Sequence, residues 1–189
     1  PMEEHCVKLA RLAGNYEFPS DFMLVAAMNP CPCGHFPDRS RCRCTDGQIT
    51  RYLQKVSGPM LDRIDICVEA SPITYGDIRS SGNNESSREI RARVEQARKI
   101  QGERFAGENI RCNGEMSGRH IRKFCWLGRE EEKFMEEIFK KLALSARMHD
   151  RILKVARTTA DLAEEKKIRL ADLCEAVSYV KSRDKFWGN

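Results

Sequence analysis

The sequence predicts an α/β segment followed by an all-α segment, and three observations support this fold class. First, residues 22–28, FMLVAAM, form an uninterrupted apolar run, which is typical of a strand covered on both faces in a parallel sheet. Second, residues 80–87, SSGNNESS, have the composition of a flexible linker. Third, apolar residues after this linker recur at helical spacing. We therefore predict an α/β domain over residues 1–79, a linker, and a helical domain over residues 88–189.

The predicted α/β domain contains one strand, helix and strand unit. After the first strand at residues 22–28, Asp46 can cap a helix that ends near residues 57–59. Its apolar positions recur at helical spacing: Ile49, Leu53 and Val56. A short helical turn, MLDRI, then leads into a second strand, DICVEA, at residues 65–70. This order and spacing are those of a crossover connection between parallel strands.

The predicted helical domain is a small bundle. Its first helix begins at Arg88, and Ser117 and Ser145 are natural N-caps for later helices. Two further helical segments cover REEEKFMEEIFKKLAL and RLADLCEAVSYVKS. The helix after Ser145 has a predicted apolar stripe: Ile152, Val155, Ala156, Thr159 and Leu162.

The composition limits the classes of protein to which the chain can belong. A hydrophobic content of 41% allows a buried core, and the longest apolar run is far shorter than the roughly 20 residues that cross a bilayer. We therefore expect a soluble, cytoplasmic protein that does not associate with a membrane. The net charge of +5 permits an anionic partner such as a nucleotide or DNA without requiring one.

Nine cysteines in a chain without a secretion signal favour free thiols or a metal site over disulfides. Four of them lie in the loop of residues 31–44: Cys31, Cys33, Cys42 and Cys44. Two Cys-x-Cys pairs could converge on zinc, and His35 could replace one thiolate. The alternatives are reduced cysteines without a metal and, less favoured by the spacing, a redox pair.

Two polar residues of the α/β segment occupy positions suited to phosphate chemistry. Asn29 follows the first predicted strand, and ligands bind at the carboxyl ends of parallel strands. Its alternative role is that of a turn residue before Pro30. Arg63 lies on a short segment before the second strand, where its guanidinium could reach a phosphate or be neutralised by Asp62 and Asp65.

The helix after Ser145 carries a predicted basic ridge of Arg147, Arg151 and Lys154, opposite the apolar stripe. Arg147 lies in the first turn, where the positive end of the helix dipole also favours an anion. The ridge could bind an anion or be a solvated helix face.

Several motifs together resemble the magnesium-chelatase-like AAA+ ATPases of the competence-protein ComM type. The matching stretches are FMLVAAMNPCPCG, CRCTDGQITRYLQKVSGPMLDRIDICVE and LSARMHDRILKVARTTADL, and the resemblance extends from residue 22 to about residue 180. It implies a partial AAA+ α/β core followed by a helical lid. Members of this type are homo-hexameric, ATP- and Mg²⁺-dependent DNA motors for branch migration, whereas the related chelatase subunits drive magnesium insertion into a porphyrin.

The resemblance implies a role for three residues. Asn29 matches the sensor-1 asparagine that positions the attacking water. Arg63 matches the arginine finger that reaches the site of the adjacent subunit. Arg147 matches the sensor-2 arginine of the lid, which contacts the γ-phosphate together with Asn29. The same type carries the cysteine loop.

No Gly-x-x-x-x-Gly-Lys-Ser/Thr loop occurs in the 189 residues, and no apolar strand ends in paired acids that would hold magnesium. In the family that the chain resembles, both lie upstream of the sensor-1 strand. We therefore expect the chain to be the carboxyl-terminal part of an ATPase and to hydrolyse no ATP alone. A stand-alone zinc-containing module that binds nucleic acid is the alternative from another class.

Overall fold

The structure is a computed structural model that describes residues 2, 4, 6–12, 14–79 and 85–187. The chain divides into two compact units. The first comprises residues 1–64 and 186–189, and the second comprises residues 65–185. Most of the predicted linker, residues 80–84, lies outside the described residues, so the predicted domain limits stay a prediction.

The first unit begins with a β-hairpin that sequence analysis missed. Strand β1 (Cys6–Arg11) pairs antiparallel with β2 (Gly14–Pro19), and Arg11 lies opposite Gly14. Gly14 has a φ of +141°, which favours glycine at this end of the turn. Most hairpin side chains are exposed, so neither face has the strict apolar and polar alternation that identifies a half-buried strand.

The two strands predicted for the α/β core do not form in this structure. Residues 22–28 and 65–70 have no regular secondary structure, and Met23 and Val25 are more than four-fifths exposed. A central parallel strand needs a hydrogen-bonded neighbour on each side. Among the described residues, the strands present, β1 and β2, pair with each other. The prediction of these two strands is therefore wrong for this structure, and the described residues do not confirm an AAA+ sheet.

Three short helices follow the hairpin. Helix α1 (Asp46–Leu53) confirms the predicted helix but ends before its predicted limit near residues 57–59, so Val56 lies outside it. Helix α2 (Gly58–Leu61) overlaps the predicted helical turn MLDRI at Met60 and Leu61 and begins two residues earlier. Helix α3 (Tyr75–Arg79) was not predicted. The N-cap of α1 is Thr45, and Asp46 is its first helical residue, which corrects the predicted cap.

The second unit is helical, as predicted. It contains α4 (Ser87–Arg104), a 3₁₀ turn (Asn113–Glu115), α5 (Gly118–Phe124), α6 (Arg129–Lys141) and α7 (Ala146–Leu162). Helix α8 (Leu170–Trp187) follows. The predicted N-caps are confirmed, because Ser117 precedes α5 and Ser145 precedes α7. Helix α7 contacts α4, α5 and the 3₁₀ turn.

The predicted apolar stripe of α7 is partly wrong. Ile152 and Ala156 are buried as expected, whereas Leu162 is 37% exposed. The buried residues of α7 are Met148, Ile152, Leu153, Ala156, Arg157, Ala160 and Asp161. The buried surface is wider than one stripe because the helix is contacted from several sides, and it includes two charged residues.

None of the helices in the described part of the chain combines the length and apolar character needed to span a membrane.

Candidate functional site

The cysteine loop folds through local turns that bring its two cysteine pairs together. The N–H of Gly34 donates to the carbonyl of Cys31 at 3.0 Å, and the N–H of Cys42 donates to the carbonyl of Asp38 at 2.8 Å. Gly34 has a φ of +82°, a left-handed conformation that side chains disfavour. The loop therefore turns once around the first cysteine pair and again immediately before the second pair.

The four sulfur atoms of Cys31, Cys33, Cys42 and Cys44 lie within 4.8 Å of one another. The Sγ atom of Cys31 is 3.4 Å from that of Cys33 and 3.8 Å from that of Cys42, and the Cys33 and Cys42 sulfurs are 3.6 Å apart. These distances exclude disulfide bonds, which need about 2.0 Å. His35 does not belong to this group of convergent ligand atoms.

The thiols have different acidities. The backbone N–H of His35 donates to Cys33 and, with further N–H groups, lowers the pKa of Cys33 to about 6. Desolvation and the neighbouring thiols raise the pKa of Cys44 to about 11. Negative charge on one sulfur opposes ionisation of the next, so the cluster holds several thiolates only beside a cation.

Helix α1 packs directly against the cluster. Its capping box joins Thr45 and Gln48: the N–H of Thr45 donates to Gln48 Oε1 at 2.9 Å, and the N–H of Gln48 donates to Thr45 Oγ1 at 3.3 Å. Ile49 and Leu53 are buried in one small cluster with Cys31, which is fully buried. Cys31 thus belongs to the apolar core of the first unit, Cys42 and Cys44 are partly buried against it, and Cys33 is exposed.

Asn29 is exposed and lies beside the loop. A Cβ atom on Gly34 would lie 3.6 Å from Asn29 Nδ2, so the amide of Asn29 is next to the turn that contains the first two cysteines. The structure therefore brings the predicted phosphate-contacting asparagine and the cysteine loop together.

Arg63 is half-buried just after α2. Its Nη1 donates to the carbonyl of Pro59 at 2.6 Å, which folds the side chain back over its own helical turn. Asp65, one of the two predicted neutralising partners, forms an ion pair with Arg151 instead, with 3.0 Å between Asp65 Oδ1 and Arg151 Nε.

The predicted basic ridge of α7 is not an open surface. Besides the ion pair of Arg151 with Asp65, Lys154 Nζ donates to the carbonyl of Gly114 at 2.9 Å. Arg147 remains exposed in the first turn, and its guanidinium has neither a salt bridge nor a hydrogen bond within the described part of the chain. The ridge prediction is therefore corrected to a single accessible arginine, because the partners of the other two come from distant parts of the sequence.

Comparison with known proteins places these residues in a family. Residues 1–78 match the family profile described as magnesium chelatase, subunit ChlI, and residues 84–180 match the profile of its C-terminal region. The second match alone covers more than half of the chain. The chain belongs to the magnesium chelatase ChlI family. The resemblance predicted from the sequence motifs is thereby confirmed.

Comparison with individual proteins supports the same family assignment. The chain is 39% identical over 180 residues to competence protein ComM of Haemophilus influenzae, and 40% identical over 181 residues to the uncharacterized protein YifB of Escherichia coli. Each alignment covers 95% of this chain, but only 34% and 35% of the respective relative. The chain therefore spans about a third of the length of the curated relatives it matches.

This family member also contains a buried ionic network that sequence analysis missed. Asp161 is fully buried; it accepts a hydrogen bond from Arg157 Nε at 3.1 Å and is paired with both Nη atoms of Arg104. Asn113 Nδ2 donates to Asp161 Oδ2 at 2.8 Å and to Thr158 Oγ1 at 3.0 Å. The i, i+4 spacing of Arg157 and Asp161 was the available signal, but that spacing is usually an exposed pair. The network fixes α7, which carries Arg147, to α4 and the 3₁₀ turn.

Proposed function

We propose that the chain is the C-terminal part of an ATP- and Mg²⁺-dependent AAA+ motor. In this proposal, Asn29 and Arg147 contact the phosphates of ATP, and Arg63 reaches the nucleotide of an adjacent subunit in a homo-hexamer. Membership of the magnesium chelatase ChlI family supports an ATPase of this kind. Guanidinium groups suit the task because their donors match the oxygens of a transferring phosphoryl group.

The observation that carries the proposal is which cationic side chains of α7 bind other groups of their own unit and which one is exposed. Arg151, Lys154 and Arg157 each bind a carboxylate or a backbone carbonyl of the same unit. Arg147 is exposed at the N-terminal turn of the same helix. A side chain that contacts a ligand must be accessible before the ligand binds, and Arg147 meets that requirement. Its surrounding helix is rigidly fixed by the Asp161 network, as a sensor of phosphate loss requires.

Each of the other two residues has a role in this proposal. Asn29 would orient the attacking water through its exposed amide. Arg63 would exchange its bond to the Pro59 carbonyl for a phosphate oxygen of the neighbouring subunit. Removal of such an arginine is expected to impair turnover far more than nucleotide binding, because charge develops on the phosphoryl oxygens during the reaction.

The test is ATP turnover by the full-length protein with Arg63→Ala or Arg147→Ala. Each substitution is expected to lower kcat at least about tenfold. Arg98→Ala is the matched control, because Arg98 is an exposed arginine of α4 with no assigned role. The 189-residue chain alone is expected to show no turnover. Normal turnover in both variants would contradict the proposal.

We propose DNA as the partner of the motor, and the cysteine region supports an anionic partner better than α7 does. Arg41, Arg43, Arg51 and Lys55 are all exposed in one stretch of the first unit. Arg51 and Lys55 line a cavity of about 390 Å³ together with Tyr52. Cations beside an aromatic ring suit the phosphates and bases of a single strand.

The DNA proposal is tested by comparing turnover with and without single-stranded and branched DNA. Stimulation is expected in the wild type and is expected to decrease with Arg51→Glu and Lys55→Glu together, with a weaker dependence of DNA binding on salt. The matched control reverses two exposed charges on α4 with Arg88→Glu and Arg91→Glu. Stimulation by a tetrapyrrole and a partner subunit instead of DNA would favour the chelatase alternative.

The remaining alternative is a stand-alone zinc-containing module that binds nucleic acid. The convergence of four thiols supports the zinc site of such a module. That module would bind DNA tightly as the isolated chain, in a salt-dependent manner. If the isolated chain binds DNA weakly and DNA stimulates ATP turnover by the full-length protein, the result would favour the motor over the stand-alone module.

A further inference from the structure

We propose that Cys31, Cys33, Cys42 and Cys44 bind one structural Zn²⁺ ion. Tetrahedral zinc with Zn–S bonds of 2.3 Å requires sulfur atoms about 3.8 Å apart. Three of the sulfur pairs lie at 3.4, 3.6 and 3.8 Å, and all four sulfurs lie within 4.8 Å of one another. These three pairs need shifts of only a few tenths of an ångström to hold the ion, and the pairs that involve Cys44 need to close by at most about 1 Å.

The donor set selects the metal. Four sulfur ligands in a compact tetrahedral arrangement suit zinc, whereas Mg²⁺ and Ca²⁺ require oxygen ligands. A site closed by four protein ligands has no open position for water or substrate, which is the arrangement of structural zinc sites. The zinc is thus distinct from the Mg²⁺ that accompanies ATP.

The backbone around the sulfurs supports metal-bound thiolates. The N–H of Phe36 points at Cys31 Sγ, with 3.4 Å between nitrogen and sulfur. Such N–H groups orient metal ligands and offset part of their negative charge. The left-handed Gly34 allows the turn that exposes this N–H to the sulfur.

The described part of the first unit has few other buried side chains to hold this region in place. Its cysteine-containing core consists of Cys31, Ile49 and Leu53, with partly buried neighbours that include Phe36 and Tyr52. A core of this size buries too little apolar surface to offset the conformational entropy of the loop and α1. A metal ion closes the loop at both ends and supplies the missing stabilisation.

The test is the zinc content of the purified 189-residue chain under reducing conditions, measured by inductively coupled plasma mass spectrometry. Stoichiometric zinc is expected in the wild type. Cys42→Ser is expected to lose zinc and to lower the affinity in a competitive chelator titration by more than about tenfold. Cys174→Ser and His35→Ala are the controls and are expected to retain zinc, because Cys174 and His35 lie outside the cluster.

Reconstitution of the metal-free wild type guards against a variant that simply fails to fold. Added Co²⁺ is expected to give the intense visible spectrum of a tetrahedral cobalt thiolate, and added Zn²⁺ is expected to abolish it. The proposal is overturned if the reduced wild type binds neither ion, if native iron occupies the site, if Cys42→Ser retains full affinity, or if His35→Ala loses the metal.

Discussion

The two units differ in how they are held together. Among its described residues, the second unit has a core of seventeen buried apolar residues and a buried network around Asp161. In the described part of the first unit, the buried residues are Cys31, Ile49, Leu53 and Leu61. Helices that bury wide faces against one another thus form a complete core, whereas the first unit relies on a cysteine cluster and one short helix. Loss of packing should damage the second unit, and loss of the cluster should damage the first.

The largest effect is expected from Asp161→Ala. This change leaves Arg104 and Arg157 buried without their shared anion, and burial already lowers the pKa of Arg157. Removal of one partner of a buried ion pair costs about 3–5 kcal/mol of unfolding free energy. The measurement is urea unfolding of the chain followed by circular dichroism. Glu136→Ala removes the exposed pair with Lys140 and is the control, for which no measurable change is expected.

A second comparison lies within α7. Ile152→Ala, at a side chain that is 1% exposed, is expected to cost about 3 kcal/mol because it leaves a cavity in the core. Leu162→Ala removes as much apolar side chain at a position that is 37% exposed, so its cost should be well below half of that value. Equal losses in urea unfolding would show that the buried face of α7 is assigned incorrectly.

The pH dependence of the second unit provides a third test. Desolvation raises the pKa of Cys125 to about 12. In the unfolded chain the thiol ionises near pH 8.5. Between pH 8.5 and the raised pKa of the folded state, only the folded chain retains the proton, so the free energy of unfolding falls as pH rises. The decrease from pH 8 to pH 10 attributable to this group is about 2 kcal/mol. Cys125→Ala should have a decrease smaller by that amount, and an unchanged pH dependence would count against a buried, protonated thiol.

The smallest effect is expected at the turn of the cysteine loop. Gly34→Ala places a side chain at a φ of +82°, which costs about 1–2 kcal/mol. If zinc binding requires this turn, the affinity for zinc should fall about tenfold. Gly47→Ala is the control, because Gly47 lies in α1 with open space around its Cβ position. An equal effect of both changes on the affinity for zinc would show that zinc binding does not depend on the conformation of the turn at Gly34.

The helices could be predicted from the sequence because their signals are local. Ser117 and Ser145 mark helix starts through their own side chains, and apolar spacing identifies α1 and α7 within single turns. The strands depend on pairing partners elsewhere in the chain, so the apolar run at residues 22–28 gave a wrong prediction. The hairpin of β1 and β2 was missed because its exposed faces carry little alternation.

The candidate site was predictable to a similar degree. The convergence of the four cysteines follows from two pairs within one short loop, and the structure brings their sulfurs together. The engagement of Arg151 by Asp65 joins residues far apart in the sequence, so no local spacing could reveal it. The roles of Asn29, Arg63 and Arg147 stay predictions that ATP turnover must test.

The most direct measurement of the contrast between the two units is hydrogen–deuterium exchange of the chain with zinc and after removal of the metal. The account predicts that metal removal accelerates exchange of the amides of α1 and the cysteine loop, while the amides of α7 keep their protection because the helical core holds them. Unchanged protection in α1, or an equal loss in α1 and α7, would contradict the account.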